Sequence, residues 1–143
     1  MQVETTTWTR RSRASQRKNS RGLTRTPMKR GDVYWAVLQP RSGSEQSGRR
    51  PVVIISNDGF NQVPNWRSII VIPVTTSSRQ GVRGPTVVPL SGISSVLMPS
   101  SVAICHQITT LDRAKLDERI GTLSSTEIEG IERGIHAACD LAI

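Results

Sequence analysis

Apolar residues in this chain form short runs that begin after residue 31 and are separated by polar loops. Five of these runs are rich in β-branched residues and predict β-strands. The predicted strands cover residues 32–40, 52–56, 68–75, 86–90 and 101–108. The second of them, VVIIS, contains a continuous apolar run, which is typical of a strand that is buried on both faces.

The hydrophobic period changes near the C-terminus, where a helix is predicted over residues 125–141. Ser124 and Glu127 have the spacing of a capping box at its start. Gly130 and Gly134 each cost this helix about 1 kcal/mol relative to alanine, which indicates close packing against a neighbouring element. Apolar residues recur at three- and four-residue steps, the pattern of an amphipathic helix: Ile128, Ile131, Ile135, Ala138 and Ala142.

Short strands joined by polar loops and closed by one helix indicate a mainly β fold, a small β-barrel with an α-helix packed on it. A shorter helical turn is predicted over residues 111–118, LDRAKLDE. Residues 57–66 are rich in turn-forming residues and predict a loop. With 143 residues, of which 36% are hydrophobic, the chain can form one domain with one modest core.

Positive charge is concentrated at the N-terminus. Residues 1–27 carry seven Lys or Arg against one Glu, a net charge of +6, whereas residues 28–143 carry twelve basic against ten acidic residues, a net charge of +2. Residues 1–27 are almost free of apolar residues, so we expect a disordered basic extension. Its composition suits a transit peptide, a nucleic-acid arm or the product of an upstream translation start; we favour a non-essential extension before a domain over residues 28–143.

Several classes of protein are disfavoured by the sequence. No stretch approaches the roughly 18 continuous apolar residues of a membrane span. Cys105 and Cys139 are far apart and lie in apolar patterns, which predicts buried thiols in a reducing cytoplasm. There is no Gly-rich phosphate loop, HExxH motif or nucleophile elbow, and the isolated His106 and His136 are interpreted as structural or surface residues. No metal ion and no cofactor is expected.

Two arginines, Arg49 and Arg50, stand between a polar loop and the predicted second strand. A guanidinium group is always charged and suits a core poorly, so its place at a strand mouth favours an anionic ligand. An ion pair with Glu45 or Asp58 is the alternative interpretation.

Four segments, together with the final helix, resemble the MazF/PemK toxins, the endoribonuclease halves of bacterial type II toxin–antitoxin pairs. The segments are KRGDVYWAVLQP, GSEQSGRRPVVIISND, IIVIPVT and HQITTLDRAKLDERIGTLS, and the resemblance covers residues 29–142. It implies an SH3-like small β-barrel packed with a C-terminal helix and a cytoplasmic homodimer. It also implies single-stranded RNA as substrate and an acidic, MazE-like antitoxin that folds along the RNA grooves.

The resemblance also implies site residues. Arg50, directly before the proline, is expected to be the main catalytic residue, with Thr75 at the end of the third strand and Ser44 beside it. Some relatives use an aspartate and a histidine near the third strand, but residues 76–78 here are Thr-Ser-Ser, so the general base is unassigned. The residues expected to contact RNA are Glu45, Gln46, Arg49, Asn57, Arg79 and Arg83.

These residue types suit transesterification. RNA carries its own nucleophile, the 2′-hydroxyl, so the enzyme needs no Ser, Cys or metal-bound water for attack. A guanidinium fork binds two phosphate oxygens at once, and hydroxyls can donate further hydrogen bonds. Because an arginine side chain keeps its proton at neutral pH, we assign Arg50 to electrostatic stabilisation. The expected products are a 2′,3′-cyclic phosphate and a 5′-hydroxyl.

Two other functions were weighed. A CcdB-like poison of DNA gyrase would end in Trp-Gly-Ile, whereas this chain ends DLAI. A nucleic-acid-binding barrel without catalysis would need aromatic stacking platforms, and the domain has few aromatic residues, of which Tyr34 or Trp35 is expected to face the core. These residues are Tyr34, Trp35, Phe60 and Trp66.

Overall fold

The computed structural model describes residues 27–39, 48–76, 84–90, 97 and 100–141. Its strands are β1 (Asp32–Leu38), β2 (Gly48–Ile54), β3 (Ser68–Thr75), β4 (Val87–Pro89), β5 (Val102–Ile104), β6 (Thr109–Asp112) and β7 (Leu116–Thr122). Its helices are α1 (Asp58–Asn61) and α2 (Ser125–Cys139), with 3₁₀ turns at Cys105–Gln107 and Arg113–Lys115. The predicted extension over residues 1–27 lies outside this range except for its last residue. No helix of the described residues is long and apolar enough to cross a membrane.

All strand pairs are antiparallel, and the strands form one sheet in the order β4-β5-β3-β2-β1-β7, with β6 paired to β3. The sheet must curve strongly, because β6 on β3 and β7 on β1 are joined by only the three-residue turn Arg113–Lys115. Among the described residues, β6 and β7 are connected by this turn and not by a hydrogen-bonded strand pair. The predicted mainly β fold with a C-terminal helix is confirmed, but the sheet is not a closed barrel.

The predicted strands are present with adjusted ends. The strand at 68–75 has its predicted bounds, and those at 32–40, 86–90 and 101–108 are shorter than predicted. The strand predicted at 52–56 begins earlier, at Gly48, and ends at Ile54. The loop over 57–66 contains the short helix α1.

The helical turn predicted over residues 111–118 is present only as the three-residue 3₁₀ turn Arg113–Lys115. This segment ends β6, makes a 3₁₀ turn and begins β7. Leu111 pairs with Ile69, and Leu116 pairs with Ala36, so strand pairing on both sides outweighs the helix propensity of the intervening residues. The Asp112 side chain accepts a hydrogen bond from the Ala114 N–H at 2.8 Å, which caps the short turn.

The sheet has a core on each face. The helix-facing core packs against α2 and comprises Val33, Val53, Ile72, Val74, Leu90, Leu97, Ala103, Cys105, Leu123 and Ile131. The opposite core comprises Ala36, Leu38, Val52, Ile54, Ile69 and Val71. Successive residues of β2 alternate between the two, which confirms that this strand is buried on both faces. Tyr34 packs against the opposite core, as expected for one of the two β1 aromatics.

Helix α2 lies close to β4 and to the turn after β5. The predicted capping box is present at Ser124 and Glu127. A Cβ at Gly134 would lie 2.5 Å from Cys105 Sγ, and one at Gly130 would lie 3.2 Å from a Val88 methyl, so both glycines permit close packing. Cys105 is buried as predicted, but the prediction for Cys139 is wrong, because this thiol is exposed near the end of α2.

Candidate active site

The mouth of β2 places two successive arginines on opposite faces of the sheet. Gly48 begins the strand with φ of +81°, a backbone conformation that residues with a Cβ rarely adopt. Arg50 is half-buried and pairs with Ala36 of β1. Because side chains alternate along a strand, Arg50 shares the face of Val52, in the opposite core, and Arg49 takes the other face.

Thr75 is the last residue of β3 and only 2% of its surface is exposed. It pairs with Val102 of β5 on one side. On the other side, β2 and β3 pair through Val52 and Pro73, and continuing this register by two residues aligns Thr75 with Arg50. The two positions therefore share one face at one end of the sheet, as a joint phosphate site requires.

Arg49 has partners of its own on the helix-facing side of the sheet. Its guanidinium carbon lies 4.4 Å from the centre of the Trp35 ring. Its Nε lies 3.4 Å from a carboxylate oxygen of Asp117 on β7. Asp58, one of the ion-pair partners considered above, lies beyond the far end of β2, where its carboxylate accepts hydrogen bonds from the Arg30 N–H and the Asn61 amide.

The other predicted site residues divide into two groups. Asn57 caps α1, because its side-chain oxygen accepts a hydrogen bond from the Gly59 N–H at 2.7 Å. Five predicted residues lie outside the described part of the chain: Ser44, Glu45, Gln46, Arg79 and Arg83. Within the described ranges, no group of three or more His, Cys, Asp or Glu could hold a metal ion.

The two histidines are surface or structural residues in the structure as well. His106 is exposed, and its Nδ1 lies 2.7 Å from the hydroxyl of Thr86. It follows β5 at the end away from the Thr75–Val102 pair. His136 lies half-buried on α2. Neither histidine is therefore positioned by its own strand or helix beside Arg50.

Sequence reasoning missed Arg113, which organises the loop between α1 and β3. Its guanidinium donates to the backbone carbonyls of Trp66 at 2.9 Å and Asn61 at 2.8 Å. Burial of this charge lowers the pKa of Arg113, and the neighbouring positive charge of Arg67 lowers it further. A hydrogen bond from Arg67 to Asp112 lowers the pKa of that carboxyl group in turn. The local sequence pattern carries no signal for this role, because the Trp66 and Asn61 carbonyls are 47 and 52 residues away along the chain.

The small curved antiparallel sheet with a helix packed on one face is the architecture of a class of toxins of known structure. A family model described as the PemK-like, MazF-like toxin of type II toxin–antitoxin systems matches residues 29–139. The chain therefore belongs to the PemK-like, MazF-like toxin family.

Individual relatives agree with this assignment. The Endoribonuclease MazF of Staphylococcus saprophyticus is 36% identical over 114 residues, which span 80% of this chain and 92% of that protein. The Mycobacterium tuberculosis toxin MazF-mt6 is 26% identical with a TM-score of 0.63, over 78% of this chain and 99% of the other. MazF from Deinococcus radiodurans has a TM-score of 0.67 at 22% identity, over 82% and 100% of the two chains, which shows the shared fold.

Proposed function

We propose that this endoribonuclease toxin of a toxin–antitoxin system cuts single-stranded RNA at short preferred sequences, using the 2′-hydroxyl of the RNA as nucleophile. The observation that carries the proposal is the position of Arg50. It is half-buried at the mouth of β2, and the strand register aligns it with the buried Thr75. A fixed guanidinium beside a hydroxyl is suited to holding a phosphate group.

In the proposed reaction the 2′-oxygen forms a bond to the adjacent phosphorus, and the bond from phosphorus to the 5′-oxygen breaks. The 2′-hydroxyl proton passes to a base that is not yet assigned, and a proton is delivered to the departing 5′-oxygen. Arg50 binds the two non-bridging oxygens, whose negative charge grows in the transition state. Thr75 and Ser44 add hydroxyl donors. The products are a 2′,3′-cyclic phosphate and a 5′-hydroxyl, and the attack requires no metal ion.

Recognition of RNA in this proposal depends on two polar loops, residues 41–49 before Arg50 and residues 76–84 after Thr75. The substrate is single-stranded, because bases can be read only when they are splayed from a stack. The proposed contact residues of these loops are Glu45, Gln46, Arg49, Arg79 and Arg83. Asn57, which is also expected from the resemblance to contact RNA, lies beyond the opposite end of β2, where it caps α1. We further propose a homodimer that acts in the cytoplasm and an acidic antitoxin that occupies the RNA path. A solved mycobacterial endoribonuclease that is 25% identical to this chain, with a TM-score of 0.62, was determined in complex with its cognate antitoxin, which supports the last point.

The test is cleavage of long single-stranded RNA by the purified protein in excess EDTA, with the fragment ends mapped. The variants are Arg50→Ala and, as a matched control, Arg67→Ala. Arg67 is also an arginine beside a strand, but it lies before β3, roughly 25 Å along that strand from Thr75. We expect discrete cuts ending in cyclic phosphate with the wild type and the control.

For Arg50→Ala we expect cleavage to fall by at least about 100-fold, the scale for loss of one main transition-state donor, with folding retained. Full activity in Arg50→Ala would refute the site assignment. Intact RNA with the wild type as well would refute the nuclease proposal and favour a protein target such as DNA gyrase.

A further inference from the structure

On the face of the sheet opposite Arg50, Trp35, Arg49 and Asp117 form a cluster near the start of β2. The Arg49 guanidinium covers the Trp35 ring at 4.4 Å, a distance typical of a cation–π contact. Asp117 holds Nε of the same guanidinium at 3.4 Å. The side chains of Arg49 and Asp117 are 50% and 58% exposed, so the cluster faces solvent.

The strand register explains why these residues meet. In the β1–β2 ladder Trp35 lies opposite Pro51, and Val37 lies opposite Arg49, so Trp35 and Arg49 are diagonal neighbours on one face. Strand β7 pairs with β1 on its other side and supplies Asp117. Arg50 is the next residue after Arg49 and points to the opposite face, so the cluster and the proposed phosphate site lie on the two faces of the same end of β2.

Folding stability alone does not explain why these three side chains are placed together. An ion pair at 3.4 Å between two half-exposed side chains contributes little to folding. Val37 lies on the same face and is 43% exposed, which makes the surface around the cluster apolar as well as cationic. A planar cation on an aromatic ring, next to exposed apolar surface, is the type of surface on which unpaired nucleobases stack.

The charge balance favours a base over a phosphate as the occupant. The carboxylate of Asp117 offsets the charge of Arg49 and would repel a phosphate group placed against the same guanidinium. Stacking on the plane of the guanidinium needs no net positive charge. Because Asp117 binds Nε at the edge of the group, it fixes the orientation of that plane while the outer face stays exposed.

We propose that Trp35 and Arg49 form a stacking platform for one unpaired base of the RNA substrate, where the RNA passes the start of β2 and on the other face of the sheet from the phosphate at Arg50, with Asp117 as a positioning residue. This inference rests on the proposed endoribonuclease function. Trp35 and Arg49 thereby contribute to the choice of cleavage sequence, whereas Arg50 acts on the phosphate.

The experiment uses a short single-stranded RNA centred on the cut site that the wild type selects. Each nucleotide flanking the cut is replaced in turn by an abasic one, and kcat/KM is measured for the wild type and the variants Trp35→Leu and Arg49→Lys. Arg67→Lys is the matched control, because Arg67 is another exposed arginine paired with an aspartate, Asp112, at 2.6 Å. Far-UV circular dichroism checks folding, and Trp35→Met replaces Trp35→Leu if the latter is unfolded.

We expect one abasic position to lower kcat/KM of the wild type and of Arg67→Lys about tenfold, in the range of one base–aromatic stack. The same abasic substitution should cost Trp35→Leu and Arg49→Lys less than about twofold, since their platform is already lost. An equal penalty in wild type and variants would refute the platform while leaving the nuclease proposal intact. Unchanged RNA cleavage combined with weaker inhibition by the cognate antitoxin would also refute it and assign the surface to a protein partner.

Discussion

Replacing Arg113 with alanine removes the guanidinium that connects the β6–β7 turn to the loop between α1 and β3. This group donates to Trp66 O at 2.9 Å, Asn61 O at 2.8 Å, Val63 O at 3.1 Å and, more weakly, Phe60 O at 3.4 Å. Its loss removes the Arg113 donor from the Asn61 and Trp66 carbonyls, whereas the Phe60 and Val63 carbonyls still accept hydrogen bonds from the Val63 and Trp66 N–H groups. We expect Arg113→Ala to destabilise the fold without changing the chemistry at Arg50, which lies near the opposite end of β2 from this loop.

The expected change in the free energy of unfolding follows from two opposing effects. A hydrogen bond to a charged group contributes about 1.5–3 kcal/mol, and the two shortest bonds of Arg113 qualify fully. Burial lowers the pKa of Arg113, so the folded state carries a desolvation cost that the alanine variant no longer has. Water can also reach part of the loop and replace some of the lost donors. The expected net loss is about 2–3 kcal/mol in the free energy of unfolding.

The assay is urea denaturation followed by far-UV circular dichroism at fixed protein concentration, for the wild type, Arg113→Ala and Arg113→Lys. Lysine keeps the charge but not the planar fork, so it should recover less than half of the loss. Cleavage per folded molecule at low temperature should stay within about twofold of the wild type, because a surface-loop anchor contributes no transition-state contact. A change in unfolding free energy below about 0.5 kcal/mol would show that the loop does not depend on this guanidinium.

Three further predictions concern packing, thiol reactivity and the N-terminus. Gly134→Ala should lower the free energy of unfolding in urea by about 1–2 kcal/mol, because its Cβ would lie 2.5 Å from Cys105 Sγ. The control Gly130→Ala should be within about 0.5 kcal/mol of the wild type. A Gly134→Ala variant more stable than the wild type would refute this packing. Burial raises the pKa of the Cys105 thiol to about 11, so a thiol reagent at pH 8 should label Cys139 quickly and Cys105 only after unfolding; two fast thiols would contradict it. Deleting residues 1–27 should change RNA cleavage by less than about twofold, and a large loss would show that the extension binds RNA.

The strands could be predicted from the sequence where local pattern and long-range pairing agree. Residues 68–75 are apolar and β-branched, and they pair with β2, β5 and β6. The local sequence pattern and the long-range pairing therefore specify the same strand. The extent of the helical turn at residues 111–118 was predicted wrongly, because local pattern and long-range pairing disagree there. Ala114 and Lys115 favour a helix locally, but β1 and β3 offer unpaired edges on either side of the segment, and a sequence pattern does not contain that pairing.

The candidate site divides in the same way. Arg50 and Thr75 could be placed from the motif and from the end of the predicted third strand. The cluster of Arg49, Trp35 and Asp117 could not, since Arg49 and Asp117 are 68 residues apart and meet only because β7 returns to pair with β1. Alternation along the β1–β2 hairpin was the available signal for Trp35 and Arg49, and it required the register of that hairpin.

The motifs that resemble the toxin family have different roles in this structure. Gly31 of the RGD segment has φ of +94°, and a Cβ there would lie 2.7 Å from Ile128 Cδ1 on α2, so this glycine fits the helix against β1. The buried Asp32 accepts hydrogen bonds from Thr122 Oγ1 at 2.8 Å and from the Lys29 N–H at 2.9 Å, which joins β1 to β7.

The DR pair of the TTLDR segment likewise serves the scaffold, with Asp112 capping a turn and Arg113 anchoring a loop. Only the segment around Arg50 presents a charged group at the strand mouth proposed to bind phosphate. A chain with the RGD and TTLDR segments but another residue before the proline should therefore keep this fold and lose the proposed site. Under the proposed function, Arg50 is for the same reason the residue of these motifs whose replacement should abolish toxicity.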